Sequence, residues 1–335
     1  MEMERKVLFG VLMLVVMLAP IGVVFATGLE AEGEPLKGVL AFPVFDNDAT
    51  KMRYNIYVMD LETGKRKLLK ENASQPAFSH DGKSLAYKDW TENQDVYGLY
   101  AASIADMRGT GWRFGESIAD QRPQWSPDDA FFYYYSRKES DRLDRVMVTE
   151  SAWSKGRTIL RPDMDNKEIL GHSPAVLLVK KDTYDILYQG CEFANCGVIR
   201  RHLNGTTPKL VDGDTTARAM SVSPDSQWIA FMSYNRDNNW EIYVMAADGS
   251  KVTRLTNNPA VDGLPTWSPD GAWVAFVRET KAGSNNWDIM AVRPDGTGEQ
   301  KLAELGLLDG RVKGTTPDQC GGWLEEQISW GTVMP

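Results

Sequence analysis

The sequence predicts an all-β protein, a six-bladed β-propeller of four-stranded blades whose first blade is closed by the C-terminal strand. Three observations carry this prediction. A turn phrase recurs along the chain, as Phe78-Ser79-His80-Asp81-Gly82, Trp125-Ser126-Pro127-Asp128-Asp129, Val222-Ser223-Pro224-Asp225-Ser226 and Trp267-Ser268-Pro269-Asp270-Gly271. Short apolar runs follow each phrase in the same order, and repeats of about 45 residues with four strands each are what propeller blades look like in sequence. The chain also holds 11 Trp, 12 Tyr and 11 Phe in 335 residues, and aromatic rings favour the pleated, half-buried surface of a strand.

Each repeat reads as strand A, the turn phrase, strand B, a polar loop, strand C, a turn and strand D. The phrase suits a tight turn. Pro fixes φ near −65°, Asp bonds to nearby backbone N–H groups, and Asp-Gly supplies a positive φ. Strand B follows as Ser84–Tyr87, Ala130–Tyr135, Trp228–Met232 and Trp273–Val277. Strand C follows as Tyr97–Ile104, Arg145–Thr149, Glu241–Ala246 and Asp288–Val292. Strand D follows as Arg113–Ile118, Arg157–Leu160, Lys251–Thr256 and Gln300–Ala303. The runs are too short for helices and rich in β-formers.

Two further units bring the count to six. The first has strands B, C and D at Gly38–Pro43, Asn55–Met59 and Arg66–Leu69 but no strand A; Ile328–Trp330 near the C-terminus is the expected partner. Such a closure leaves no gap between first and last blades and removes the open sheet edge. The fourth unit is degenerate, with strands expected at Ala175–Val179, Asp185–Gln189, Val198–His202 and Pro208–Val211 after a long connection, Arg161–Ser173. Within that stretch His172-Ser173-Pro174 mimics the phrase without its turn.

The N-terminus has a different composition. Arg5 and Lys6 precede Val7–Ala26, an uncharged apolar run broken by Pro20 and ending Val24-Phe25-Ala26. Residues 1–26 read as a signal peptide or a membrane anchor, residues 27–35 as a linker, and residues 36–331 as the propeller. Either reading puts the propeller in an extracytoplasmic space, periplasmic or secreted. The net charge of −9 argues against nucleic acid and anionic lipid as partners, which need a basic surface. Membrane contact is expected only through the N-terminal segment. Cys191 and Cys196 bracket a tight loop and form the expected disulfide in an oxidising compartment, with Cys320 left over.

No Gly-x-Ser-x-Gly elbow, His-Glu-x-x-His helix or phosphate-binding loop occurs, and the three histidines are His80, His172 and His202. His80 sits in the Pro position of its turn phrase, and His202 ends a strand. The repeated Asp81, Asp128, Asp225 and Asp270 read as turn residues. Trp125, Trp267 and Trp330 read as packing between blades. Function is then expected on loops. The B–C loops are polar, at Asp46-Asn47-Asp48, Asp89–Asp95, Arg137–Arg145, Cys191–Cys196, Asn235–Trp240 and Ser284–Trp287. Asn238-Asn239-Trp240 and Asn285-Asn286-Trp287 recur between adjacent blades. They read either as turn residues or as Trp anchors with a polar rim, as in binding surfaces. D–A loops add Asp120, Arg122, Asp214, Arg218 and Asp262, of which Arg122 and Arg218 join the candidate partner-binding set.

Leu255-Thr256-Asn257-Asn258-Pro259, then Asp262, then Pro265-Thr266-Trp267-Ser268-Pro269-Asp270-Gly271 resembles the repeat of TolB-type, WD40-like propellers with PD40 repeats. Ile242-Tyr243-Val244-Met245-Ala246-Ala247-Asp248-Gly249 and Asn55-Ile56-Tyr57-Val58-Met59-Asp60 resemble the same repeat's strand C. The resemblance covers roughly residues 36–331 and only the propeller part of TolB. It implies a protein- or polymer-binding scaffold at the cell envelope, without catalysis or cofactor. The alternatives are a lactonase- or lyase-type propeller enzyme with a channel metal such as Ca2+, and a glycan or small-ligand binder.

Overall fold

The computed structural model describes residues 36–46, 53–90, 98–107, 111–115, 120–137, 144–149, 157–160, 169–170, 174–181, 183–192, 195–202, 209–308 and 322–332. The expected leader or anchor and its linker, His172 and Cys320 lie outside them, as do the middles of several B–C loops. The propeller belongs to one unit, Leu36–Pro335. Among the described residues no helix is long and apolar enough to cross a membrane.

Six antiparallel sheets form, and each follows the order A-B-C-D from the inside outward. Blade 2 is Ala73–Phe78, Ser84–Asp89, Gly98–Ser103 and Trp112–Gly115; blade 3 is Gln121–Trp125, Phe132–Arg137, Asp144–Thr149 and Arg157–Leu160. Blade 5 is Arg218–Val222, Trp228–Ser233, Glu241–Ala246 and Thr253–Arg254; blade 6 is Asp262–Trp267, Val274–Glu279, Asn286–Val292 and Gln300–Leu307. Ser329–Gly331 supplies the inner strand of blade 1, pairing Val39↔Gly331, Leu40↔Trp330 and Ala41↔Ser329. The outer three strands of that blade are Val39–Asp46, Arg53–Asp60 and Arg66–Lys70.

Blade 4 departs from the expectation of four strands. Its second strand, Thr183–Glu192, is ten residues long and pairs inward with two segments, Ala175–Lys180 and Ile169–Leu170. The stretch Arg161–Ser173 is therefore not connection throughout: its last part returns to the sheet beside Gly190 and Cys191. Strand C is Asn195–His202 and strand D is Lys209–Asp212.

Strand periodicity explains how blades stack. Successive side chains point to opposite faces of a sheet. In blade 1, Val39, Ala41, Ile56 and Val58 face Ala73, Phe78, Leu85 and Tyr87 of blade 2. The alternating residues Leu40, Phe42 and Met59 join the cluster that contains Val277, Trp287 and Ile289 of blade 6. Because both faces are covered, inner strands are buried along their whole length, as in Ala73–Phe78, while an outermost strand such as Arg66–Lys70 is largely exposed. Each fully buried large apolar side chain contributes roughly 1.5–3 kcal/mol by leaving water.

Candidate functional site

Four of the A–B turns, those of blades 2, 3, 5 and 6, are built alike. Ser79, Ser126, Ser223 and Ser268 donate their hydroxyls to Asp81, Asp128, Asp225 and Asp270 at 2.7, 2.8, 2.6 and 2.5 Å. Each Ser Oγ then accepts the backbone N–H five residues on, from Ser84, Phe131, Trp228 and Trp273 at 2.9 to 3.1 Å. Each Asp accepts the N–H two residues on. The residue after each Asp has a positive φ: Gly82, Asp129, Ser226 and Gly271. The carboxylates are consumed by the turns. Backbone and Ser79 bonds hold Asp81 below the ordinary carboxylate range. Burial pushes Asp128 up, but bonds from Tyr184, Ser126 and the backbone of Ala130 outweigh it. Asp129 reaches across to blade 2 and accepts from the backbones of His80 and Asp81, both at 2.8 Å.

Inside these turns the inner strands of all six blades surround a cavity of about 270 Å3. Phe78, Trp125, Val176, Val222, Trp267 and Trp330 line it, one from each blade, with Gln124, Ser221, Thr266 and Ser329 supplying polar groups. Two of the tryptophans staple neighbouring blades together. Trp125 Nε1 donates to the Ala77 carbonyl at 3.0 Å and Trp267 Nε1 to the Ser221 carbonyl at 3.1 Å, each on the preceding blade. Trp330 Nε1 donates to the Lys37 carbonyl at 2.9 Å.

Toward the opposite mouth four inner strands carry a bulge. Gln75, Arg122, Ala219 and Leu264 have φ of 54°, 54°, 49° and 54°, and the register of each strand with its neighbour shifts there. A bulge re-aims a side chain. Gln75 Oε1 accepts from the Arg122 backbone at 2.7 Å, and Gln75 Nε2 donates to the Glu325 carbonyl at 3.0 Å. Gln327 Nε2 is held by the carbonyls of Gln75, Pro76 and Pro123, and its Oε1 accepts from Gln124 at 2.8 Å. Glu326 is buried and accepts from the Gln75 backbone at 3.2 Å. Burial pushes its carboxyl up to about 8, against the pull of Lys88. The short 3-10 turn Trp323–Glu325 thus lies on bonds from blades 2 and 3.

No family model matches the chain. The Tol-Pal system protein TolB of Anaeromyxobacter dehalogenans is 42% identical over 239 residues, which is 69% of this chain and 50% of that protein. The crystal structure of TolB from Acinetobacter baumannii superposes with a TM-score of 0.65 over 88% of this chain and 66% of that one, at 14% identity. The chain is a TolB-like β-propeller. It spans about half the length of that TolB relative and 60% of an uncharacterised protein of Agrobacterium fabrum, 23% identical over 189 residues. Oligogalacturonate lyase in complex with manganese shares the fold with a TM-score of 0.52 over 79% of this chain and 78% of that one, at 14% identity.

In this TolB-like propeller the B–C tryptophans point inward. Trp287 is 2% exposed, and its ring centroid lies 4.7 Å from that of Trp323. Trp240 packs against Tyr234 at 5.7 Å and against Trp323 at 6.3 Å. The recess between them is occupied by the chain's own Trp323. Asn238 and Asn285 take positive φ, and Asn239 donates to the carbonyls of Asn258 and Ala260, so these residues turn the chain. Asn286 opens the third strand of blade 6, exposed. Arg122 and Arg218 lie on the inner strands of blades 3 and 5. Cys191 and Cys196 stand opposite each other and are joined as a disulfide. Asp262 holds Arg278 at 2.7 Å and is structural. His202 pairs with Asp185 at 2.6 Å at a strand end.

Gln124, Ser221, Thr266 and Ser329 escaped the sequence reading. Each precedes the aromatic or apolar residue that opens the turn phrase or its C-terminal counterpart, a small polar residue inside a strand buried on both faces. Among the described residues no three His, Cys, Asp or Glu side chains gather as a metal site.

Proposed function

We propose that this TolB-like propeller is an exported binding module of the cell envelope that holds a protein or polymer without chemistry of its own. The observation that carries this reading is the cavity at the axis. All six inner strands line it, its polar groups are hydroxyls, amides and the His80 imidazole, which is paired with Asp129, and the carboxylates nearest to it are held in turn bonds. Such a site offers hydrogen bonds and apolar walls, which suits recognition better than acid–base or metal chemistry. The expected leader or anchor supports export, and the disulfide suits an oxidising compartment. The TolB relative, a Tol-Pal system protein, supports an envelope role. The partner is expected at the A–B-turn mouth, because the 3-10 turn Trp323–Glu325 lies against the inner strands at the other.

The test is capture from envelope extracts with the full chain beside a Ser221→Tyr variant, whose ring occupies part of the cavity. A species held by the wild type and released by the variant supports the reading. Equal capture by both, or none by either, rejects it.

A further inference from the structure

Less deeply placed arginines in this protein hold carboxylates. Arg278 grips Asp262 and Glu299 at 2.7 and 2.6 Å, Arg236 grips Asp212 and Asp214 at 2.6 and 2.9 Å, Arg254 grips Asp237 and Glu241 at 2.8 and 3.0 Å, and Arg200 grips Asp185 at 2.6 Å. Burying a charge is costly unless it is paired, and these pairs meet that demand.

Arg122 is the exception. It is 6% exposed, deeper than any of those four. Among the described residues its guanidinium makes one bond, a long 3.4 Å contact from Nη1 to the Leu324 carbonyl. Arg218, on the inner strand of blade 5, has no ion-pair or hydrogen-bond partner for its guanidinium among the described residues. Its positive charge nevertheless reaches Arg122. Burial holds the Arg122 cation below the ordinary arginine value, Glu325 and Glu326 pull it back, and Arg218 adds to the depression. Blades 3 and 5 are not neighbours, so two residues of their inner strands approach each other only across the axis. The Glu326 carboxyl is occupied by the Gln75 backbone, and among the described residues neither it nor Glu325, the stronger of the two influences, forms an ion pair with Arg122.

The bulge that Gln75, Ala219 and Leu264 share in their own strands holds Arg122 at φ 54° on the inner strand of blade 3. Among the described residues the buried side-chain polar atom without any partner is Trp287 Nε1. Arg122 keeps 6% of its surface exposed. Tyr133 lines the cavity at the A–B turns and lies within electrostatic reach of Arg122, which connects the two ends.

We propose that Arg122 and Arg218 form an axial carboxylate-binding site, filled by an acidic side chain or a C-terminal carboxylate that a partner inserts into the channel. A guanidinium fork matches the two oxygens of a carboxylate, and a second cation across the axis completes a cradle. The site rests on the binding reading above only for the source of that carboxylate.

The experiment is isothermal titration of the full chain at low salt with three short probes: an acetylated Gly-Glu-Gly amide, an acetylated Gly-Gly-Gly acid and an acetylated Gly-Gln-Gly amide. At least one of the first two is expected to bind and the Gln peptide not to; which one binds names the carboxylate's source. Arg218→Gln and Arg122→Gln each weaken that binding about tenfold or more, as expected for a lost charge-assisted bond, and Arg122→Lys weakens it less than Arg122→Gln. Arg218 is half-buried, so its variant serves even where Arg122→Gln fails to fold. Equal binding of the Gln peptide, undiminished binding by Arg218→Gln, or no binding of either acid at millimolar concentration overturns the site. Ser221→Tyr tells the two readings apart: partner capture that depends on the cavity but not on the arginines leaves the binding module standing and removes this site.

Discussion

Trp323 lies against Trp287, ring centroids 4.7 Å apart and planes inclined by 44°. One ring belongs to the segment that closes the propeller, the other to the third strand of blade 6. The closure of the ring is therefore not only the three-residue strand Ser329–Gly331. It extends back through buried Gln327 and Glu326 to an aromatic plug.

Trp323→Ala tests that plug. Trp323 is 5% exposed, and removing a buried Trp costs about 3–5 kcal/mol. Urea unfolding is expected to show a loss of this size. A loss below about 1 kcal/mol, the surface range, would mean that the short strand alone closes the ring.

Gly263 is small because Trp323 needs the space. A Cβ there would stand 2.5 Å from Trp323 Cζ3. Gly263→Ala is expected to cost about 1–3 kcal/mol through overpacking. In the Trp323→Ala background most of that cost disappears, and a double-mutant cycle reads the coupling.

Glu326 makes stability depend on pH. Its folded carboxyl is raised from the ordinary 4.5 to about 8. A raised folded value means that its contribution is fully present below pH 4.5 and is lost as pH rises toward 8. Melting curves of the wild type and Glu326→Gln, compared from pH 4.5 to 9, should show the difference between them turning against the wild type as pH increases. A constant difference refutes the raised value.

The indole bond between blades 5 and 6 is separable from packing. Trp267→Phe removes the donor to the Ser221 carbonyl and keeps most of the ring, with an expected loss of about 1–2 kcal/mol. Blade 5 itself carries Val222 at this position, so the fold is expected to survive, and circular dichroism checks this.

Joint replacement of Cys191 and Cys196 by Ala is expected to cost about 2 kcal/mol, given the small loop that the bond closes. The wild type with reductant should melt with the variant. A reductant-insensitive wild type would show the thiols free.

How much was legible in the chain differs between fold and site. Period-two patterning and the Ser-Asp turn chemistry are local, so the repeats, the strand order and the closing C-terminal strand could be read directly. The broken inner strand of blade 4 could not, because only the ten-residue partner Thr183–Glu192 shows that Ile169–Leu170 has a sheet to join. The loops of Trp240 and Trp287 read either as turns or as surface anchors because an aromatic residue in a polar loop has the same local pattern whether it faces solvent or a distant segment. Trp323 lies 36 residues beyond Trp287 in the chain, and only the closed ring brings them together. The arginines make the same point: sequence placed Arg122 and Arg218 on two separate loops, whereas the fold puts them on the inner strands of blades 3 and 5, because only closure of the ring brings the inner strands of non-adjacent blades around one axis.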